Sequence, residues 1–462
     1  MKIKILGAGK TVTGSCYSLS LENEKILIDC GMFQGGKDIE RLNYEEFNFN
    51  PKEYSVLILT HAHLDHCGRI PKLVRYGFRG KIFATNATKE LAYIIMMDSA
   101  NIAKRDTEEE NKRRKKQGLP PRKPLYNDMD VKVAMKLFKV VSYQKEVKIT
   151  PNINAKFYNA GHILGASSIQ LFVNDSGKQK ILSFSGDLGQ KELIIIKTAE
   201  PIAKSDYVFI ESTYGDKLHP KIPERETELI RIINETYKKG GKLLIPSFAV
   251  ERAQDILYCI GKFKEKRLIP NIDVYLDSPM AMKATEVFSN HHEYYNNSVL
   301  NTLKNRKDAF NFPGLIYIKT KEESKELNSI KKPCIIIAGN GMCTAGRIKH
   351  HIKYGINNPM NTLLLVGYQA EGTLGYWLKK GEKKIRLLGY EMEVKAKIES
   401  IDGFSGHADY KELISWLNNF SPKPKKIFIT HGEIEQAKEF SKKISKLGYN
   451  NYIPDMNEYI EI

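Results

Sequence analysis

His61-Ala62-His63-Leu64-Asp65-His66 places three imidazoles and a carboxylate within six residues, a spacing that reads as the ligand set of a two-metal site. Imidazole and carboxylate together suit zinc, and two zincs with open positions activate water for hydrolysis. The motif follows Val56-Leu57-Ile58-Leu59, an apolar run that predicts a buried strand ending at Thr60. A tight turn at that strand end points His61 and His63 at one metal, and Asp65 and His66 at a second. A loop that is merely His-rich would reach HxHxDH in roughly one such sequence in a few thousand.

Further polar residues sit directly after apolar, strand-like runs. Asp29 ends Lys25-Ile26-Leu27-Ile28, Asp187 closes the run from Ile181, Glu211 ends Tyr207-Val208-Phe209-Ile210, and His431 follows Phe428-Ile429-Thr430. Strand ends along one sheet edge converge on a single site while the strands stay rigid behind it. Buried carboxylates and imidazoles are costly unless they bind metal or pair with one another. His162 lies in Ala160-Gly161-His162-Ile163-Leu164-Gly165, whose glycines permit a sharp loop. Asp187 suits a bridging role, since one carboxylate carries two donor oxygens. His219, His291, His292, His350 and His351 stand in polar or helical contexts and read as surface residues.

The elements that must hold these groups change character along the chain. Up to about residue 187 the pattern is strand-heavy, with runs at 2–6, 11–20, 24–29, 154–158, 167–173 and 180–185. Helices are expected near 86–104 and at 128–139, the second introduced by Asn127-Asp128. From about 205, apolar strands alternate with helical patterns, which implies βα units and a parallel sheet. Helices are expected from Val250 and near Met280, 345–354 and 373–379. Gly7-Ala8-Gly9-Lys10-Thr11 resembles the end of a phosphate-binding loop, but Lys4 stands where that motif needs glycine, so it reads as a hairpin turn.

At 462 residues the chain exceeds one ordinary core. No run of about 18 apolar residues would span a bilayer, so no membrane partner is expected. Met1-Lys2-Ile3-Lys4-Ile5 looks like a first strand, not a signal peptide. The six cysteines are scattered, which fits a reducing cytoplasm. A net charge of +18 points to a polyanionic partner, although an evenly spread lysine-rich surface reads equally well. The densest block, Lys112-Arg113-Arg114-Lys115-Lys116, follows Glu108-Glu109-Glu110 and is either a solvated helix face or an RNA contact.

Asp29, the 61–66 motif, His162 and Asp187 match, in order, the signature motifs of the metallo-β-lactamase superfamily. Glu211 in Glu211-Ser212-Thr213-Tyr214-Gly215-Asp216, His407 in Ser405-Gly406-His407-Ala408-Asp409 and His431 in Thr430-His431-Gly432-Glu433 match motifs A, B and C of the β-CASP nucleases. Over nearly its whole length the chain resembles prokaryotic β-CASP ribonucleases of the cleavage and polyadenylation specificity factor group. The resemblance implies an α/β fold: a metallo-β-lactamase αββα sandwich from 1–205 and 396–462, with a β-CASP domain inserted at 206–395.

Carried over residue by residue, the resemblance implies two Zn2+ per chain. His61, His63 and His162 hold one, Asp65, His66 and His431 the other, and Asp187 bridges them; Asp29 orients a ligand histidine. A metal-bridged hydroxide attacks phosphorus, Asp65 belongs to the catalytic centre, and His407 protonates the leaving O3′ with Glu211 keeping it charged. The products are a 5′-phosphate and a 3′-hydroxyl. Histidine at motif C favours single-stranded RNA over DNA. Endonuclease action is the family default, and some relatives also degrade 5′→3′. A DNA nuclease and a catalytically silent RNA-binding subunit are the alternatives, and a homodimer is implied because relatives often dimerise.

The insert adds phosphate seats. Pro246-Ser247-Phe248-Ala249-Val250-Glu251-Arg252 and Gly339-Asn340-Gly341-Met342-Cys343-Thr344-Ala345-Gly346-Arg347 read as strand-to-helix loops in which Ser247, Arg252 or Arg347 meets a phosphate. Gly367-Tyr368-Gln369-Ala370-Glu371 is a similar turn, and Ser405 lies two residues before His407. Each of these loops also reads as a plain tight turn.

Overall fold

The computed structural model describes residues 1–219, 222–304, 308–367, 369, 371–401 and 406–462. Contacts divide the chain into two units, one of residues 1–193, 197–218 and 407–462, the other of 194–196 and 219–406.

The first unit is built on two seven-stranded sheets. One runs Tyr459–Glu461, Lys2–Gly7, Cys16–Ser20, Lys25–Ile28, Val56–Ile58, Lys81–Ala84 and Phe138–Val140. The other runs Asn451–Tyr452, Lys426–Thr430, Tyr207–Glu211, Lys178–Phe184, Ser167–Asp175, Ile153–Asn159 and Glu146–Lys148. Ile26, Ile28, Ile58, Leu171, Phe184, Phe209 and Phe428 from both sheets share one apolar core. Alternation puts those side chains inward and leaves the polar residue after each strand at its carboxyl end. Tyr207–Glu211 pairs in parallel with both Leu182–Phe184 and Lys426–Thr430, so this unit's hydrogen-bonded sheet runs past residue 205.

In the second unit six strands pair in parallel, ordered Leu315–Tyr317, Asp273–Asp277, Cys334–Ala338, Lys242–Pro246, Thr362–Val366 and Lys397–Ile401. Arg252–Glu265, Pro279–Asn290, Ile348–Gly355 and Leu374–Lys379 are helices that follow its strands, as the alternation predicts. Lys397–Ile401 lies beyond the expected domain boundary at 395 yet completes this sheet.

Several local expectations change. The helix from Asn86 runs to Lys116, because its Glu, Lys and Arg residues are good helix formers and no glycine or proline intervenes before Gly118. The helix from Asp128 stops at Lys136, because Phe138–Val140 pairs with Ile82–Ala84. Its Asn127 and Asp130 form a reciprocal cap. Residues 11–15 are not strand, and Gly14 there has φ +76°. The helices Ile222–Lys238, Tyr410–Leu417 and Ile434–Lys446 had no counterpart in the sequence reading. His351 and His291 are buried rather than on the surface. Among the described residues, no helix is long and apolar enough to cross a membrane.

Candidate metal centre

Ten of the site residues read from the sequence fall within the first unit. His61 follows Val56–Ile58 through Leu59 and Thr60, and Leu64–Cys67 coils into one helical turn carrying Asp65 and His66. Gly161 and Gly165, at φ +62° and +80°, turn the chain sharply on either side of His162. Gly31 lies against the Leu64–Cys67 turn so closely that a Cβ there would fall 1.5 Å from the Asp65 carbonyl oxygen. Asp29 and His431 adopt φ +59° and +48°, a region that costs a non-glycine residue energy and marks sites where the surrounding fold imposes the conformation.

The ring nitrogens converge in two groups. His63 Nδ1 lies 3.2 Å from His61 Nε2 and 3.0 Å from His162 Nε2. Asp187 Oδ2 stands 3.4 Å from His61 Nε2 and 3.6 Å from His162 Nε2. In the second group His66 Nε2 is 3.1 Å from His431 Nε2, which is 3.5 Å from Asp65 Oδ2. Asp187 Oδ1 faces this group, 3.3 Å from His66 Nε2. Ligands at 2.0–2.1 Å around a tetrahedral ion sit about 3.3 Å apart, so both groups have the spacing of a zinc shell. Asp187 Oδ1 is buried and makes no hydrogen bond among the described residues, an orphan that a cation would satisfy. These residues could together hold a metal.

Polar groups behind the ligands set their tautomers. His66 Nδ1 donates to Asp29 Oδ2 at 2.7 Å, which makes Nε2 the nitrogen that faces the centre. Asp29 also accepts from the Thr60 amide at 2.8 Å, the Thr60 hydroxyl at 3.0 Å and the Ser15 hydroxyl at 3.1 Å. The Thr60 hydroxyl accepts from His61 Nδ1 at 3.1 Å. Thr60, Ser15 and Thr213, whose hydroxyl lies 3.3 Å from His431 Nδ1, escaped the sequence reading. Thr60 carried a usable signal, a hydroxyl between an apolar strand and a ligand motif.

Charge separates the imidazoles. Burial holds His61 well below the ordinary range and His63 at about 4, so both present neutral nitrogens. Burial also works against a charged His66, but Asp187 and Asp29 outweigh it and push its pKa well up. Asp187 is lifted by burial and lowered further by His431, His66 and His61, which keep it well below the carboxylate range.

His407 stands beside the ligands. Its Nδ1 lies 3.1–3.2 Å from both oxygens of Glu211 and 3.9 Å from Asp187 Oδ2. Burial opposes its charge, yet Glu211 and Asp187 raise its pKa to about 9. Glu211 is fixed by the Leu188 amide at 2.7 Å and the Thr213 amide at 3.3 Å.

The phosphate candidates of the second unit are engaged elsewhere. Arg252 is buried and pairs with Asp255 at 2.7 Å. Arg347 pairs with Asp277 at 2.6 Å, beside His351 on the other carboxylate oxygen at 2.6 Å, and also binds the Ile318 carbonyl. Ser247 is buried, its hydroxyl donating to the Phe248 carbonyl at 3.0 Å. Of these contacts, Arg347–Asp277 ties its loop to the sheet. Ser405, Tyr368 and Ala370 lie outside the described residues.

Three family models match the chain: the metallo-beta-lactamase superfamily over residues 9–124, the Beta-Casp domain over 253–378 and the Zn-dependent metallo-hydrolase RNA specificity domain over 391–454. Among curated relatives, "Ribonuclease TTHA0252" of Thermus thermophilus is 35% identical over 97% of this chain and 97% of its own length. "RNase J-like protein" of Methanocaldococcus jannaschii is 35% identical over 96% of this chain and 95% of its own. "Transcription termination factor FttA" of the same organism is 31% identical over 98% of this chain and 70% of its own. A solved structure, a protein of unknown function from Enterococcus faecalis V583, shares the fold at TM-score 0.54 and 12% identity, covering 100% of this chain and 99% of that one.

Proposed function

The chain belongs to the β-CASP family of the metallo-β-lactamase superfamily, and on that premise we propose that it is a two-zinc ribonuclease hydrolysing single-stranded RNA. The observation that carries this is the His407–Glu211 pair, an acid poised 3.9 Å from the carboxylate shared by both ligand groups. A hydrolase that needs only an activated water has no use for such a pair. A phosphodiester does, because its departing O3′ must be protonated.

His61, His63 and His162 would hold one zinc, Asp65, His66 and His431 the other, with Asp187 shared between them. When bound, the two ions supply Lewis-acid activation of water and offset charge on the phosphoryl oxygens. The protein's own groups do the rest. Asp29, Thr60 and Ser15 hold His66 and His61 in the tautomers that bind metal. Glu211 grips His407 through Nδ1, leaving Nε2 to deliver its proton to O3′. The products would be a 5′-phosphate and a 3′-hydroxyl. RNA as substrate is supported by the RNA specificity domain and by the ribonuclease relatives. An intracellular RNA substrate makes the cytoplasm the proposed compartment, and homodimerisation is proposed on family resemblance alone.

The test is digestion of RNA labelled at its 5′ or 3′ end, with zinc measured on the same sample. Internal cuts leaving 5′-phosphates, with two zincs per chain, are expected. Mononucleotide release from the 5′ end would assign the exonuclease mode. Faster cutting of single-stranded DNA at equal salt would replace this reading by the DNA alternative, and intact RNA with full zinc by the silent subunit.

A further inference from the structure

The six-stranded sheet of the second unit offers a binding edge of its own. Its adjacent strands Cys334–Ala338 and Lys242–Pro246 send their connections in opposite directions. The chain leaving Lys242–Pro246 goes to Asp273–Asp277 on one side, and the chain leaving Cys334–Ala338 goes to Thr362–Val366 on the other. In open parallel sheets such diverging loops leave a crevice at the carboxyl ends of the strands, where ligands bind. The two loops here are residues 247–251 and 339–347.

Phe248 stands at this edge. It is 38% exposed between Ser247 at 2% and Ala249 at 7%, and among the described residues it is the one exposed phenylalanine. The ring is nevertheless held. A Cβ built on Gly341 would fall 2.8 Å from Phe248 Cδ2 and 2.9 Å from Cε2, so the ring rests on bare backbone and a side chain at 341 would push it aside. The main chain is pinned on both sides. Ser247 N donates to the Ala338 carbonyl at 3.0 Å, and the Phe248 carbonyl accepts from Ser247 Oγ at 3.0 Å and Ala253 N at 3.2 Å. One exposed apolar side chain is ordinary on a protein surface. A fixed aromatic ring on the carboxyl edge of a parallel sheet, seated on a glycine, has the features of a stacking platform.

We propose that Phe248 stacks on a base of single-stranded RNA. The inference rests on the ribonuclease reading and adds to it a base contact that is independent of the metal ligands. Every base has a π-face, so the contact would hold RNA with little sequence preference. Stacking of this kind contributes about 1–3 kcal/mol per base, which corresponds to about 5- to 150-fold in affinity.

Binding of a fluorescent, phosphorothioate-linked single-stranded RNA to the zinc-loaded protein tests it by anisotropy. Phe248→Ala is expected to raise Kd by about 5- to 150-fold, with zinc content and circular dichroism unchanged. Phe248→Tyr should bind as the wild type does, and Phe248→Leu as the alanine variant does. The salt dependence of binding should stay constant, because no phosphate contact is lost. Equal affinity in Phe248→Ala overturns the inference and leaves the ring as a contact for another protein surface. Equal affinity in Phe248→Leu overturns it too, since apolar area alone would then suffice. Wild-type protein that binds no RNA removes the ribonuclease reading together with this one.

Discussion

His66 Nε2 and His431 Nε2 stand 3.1 Å apart although 365 positions separate them in the chain. With Asp29 accepting from Nδ1 of His66, that ring turns Nε2 toward its partner. A metal ion held by both nitrogens would bring them together, and Asp65 and Asp187 would balance its positive charge.

Replacing Asp65 by Ala removes a carboxylate from this group. Zinc measured by mass spectrometry should fall from two ions per chain to one, with RNA cleavage lost. Two zincs retained at full occupancy would refute the ligand assignment.

The His407 substitution separates chemistry from metal binding. His407→Ala should keep both zincs while single-turnover cleavage slows by about 100-fold or more. An unchanged single-turnover rate would remove His407 from its role as acid.

Asp29 acts through His66, which donates to it at 2.7 Å. Asp29→Asn keeps the shape but weakens the hold on the Nδ1 proton. Zinc affinity, read by chelator competition, should drop about 10- to 100-fold. Wild-type affinity in this variant would reduce Asp29 to a packing residue.

The raised pKa of His407 makes a pH-dependent contribution to folding that is readable in metal-free protein. Its folded value of about 9 exceeds the ordinary histidine value of 6.5, so the stabilisation is complete below 6.5 and is lost as pH rises through 9. Glu211→Gln removes the largest charge favouring that proton. In urea denaturation the variant should trail the wild type at pH 6, and the gap should close by about pH 10. A gap that widened with pH would contradict the pairing.

Chelation should also lower Tm, because zinc binds the folded ligand set and not the open chain. Free zinc at about a hundred times its Kd adds about 2.7 kcal/mol. Identical melting with zinc and with chelator would mean that the folded protein holds no zinc.

Much of the candidate site was legible because its residue types and local spacing are set by short stretches of chain. The strand before His61 and the glycines around His162 followed from short-range pattern. The surroundings of Arg347 illustrate the opposite case. Arg252 opens the helix Arg252–Glu265 and pairs with Asp255 three residues on, whereas Arg347 pairs with Asp277, 70 positions away. His351 looked like a surface residue for the same reason, since its partner Asp277 is 74 positions away.

The sequence by itself determined the candidate ligands, their order and the strand ends that carry them, because each depends on neighbours within a few residues. Tertiary structure alone decided which nitrogen of each histidine faces the centre, through Asp29, Thr60 and Thr213. It also decided that Glu211 grips His407 and that Phe248 rests on Gly341. These pairings arise where distant strands end side by side, and no local pattern encodes which groups meet there.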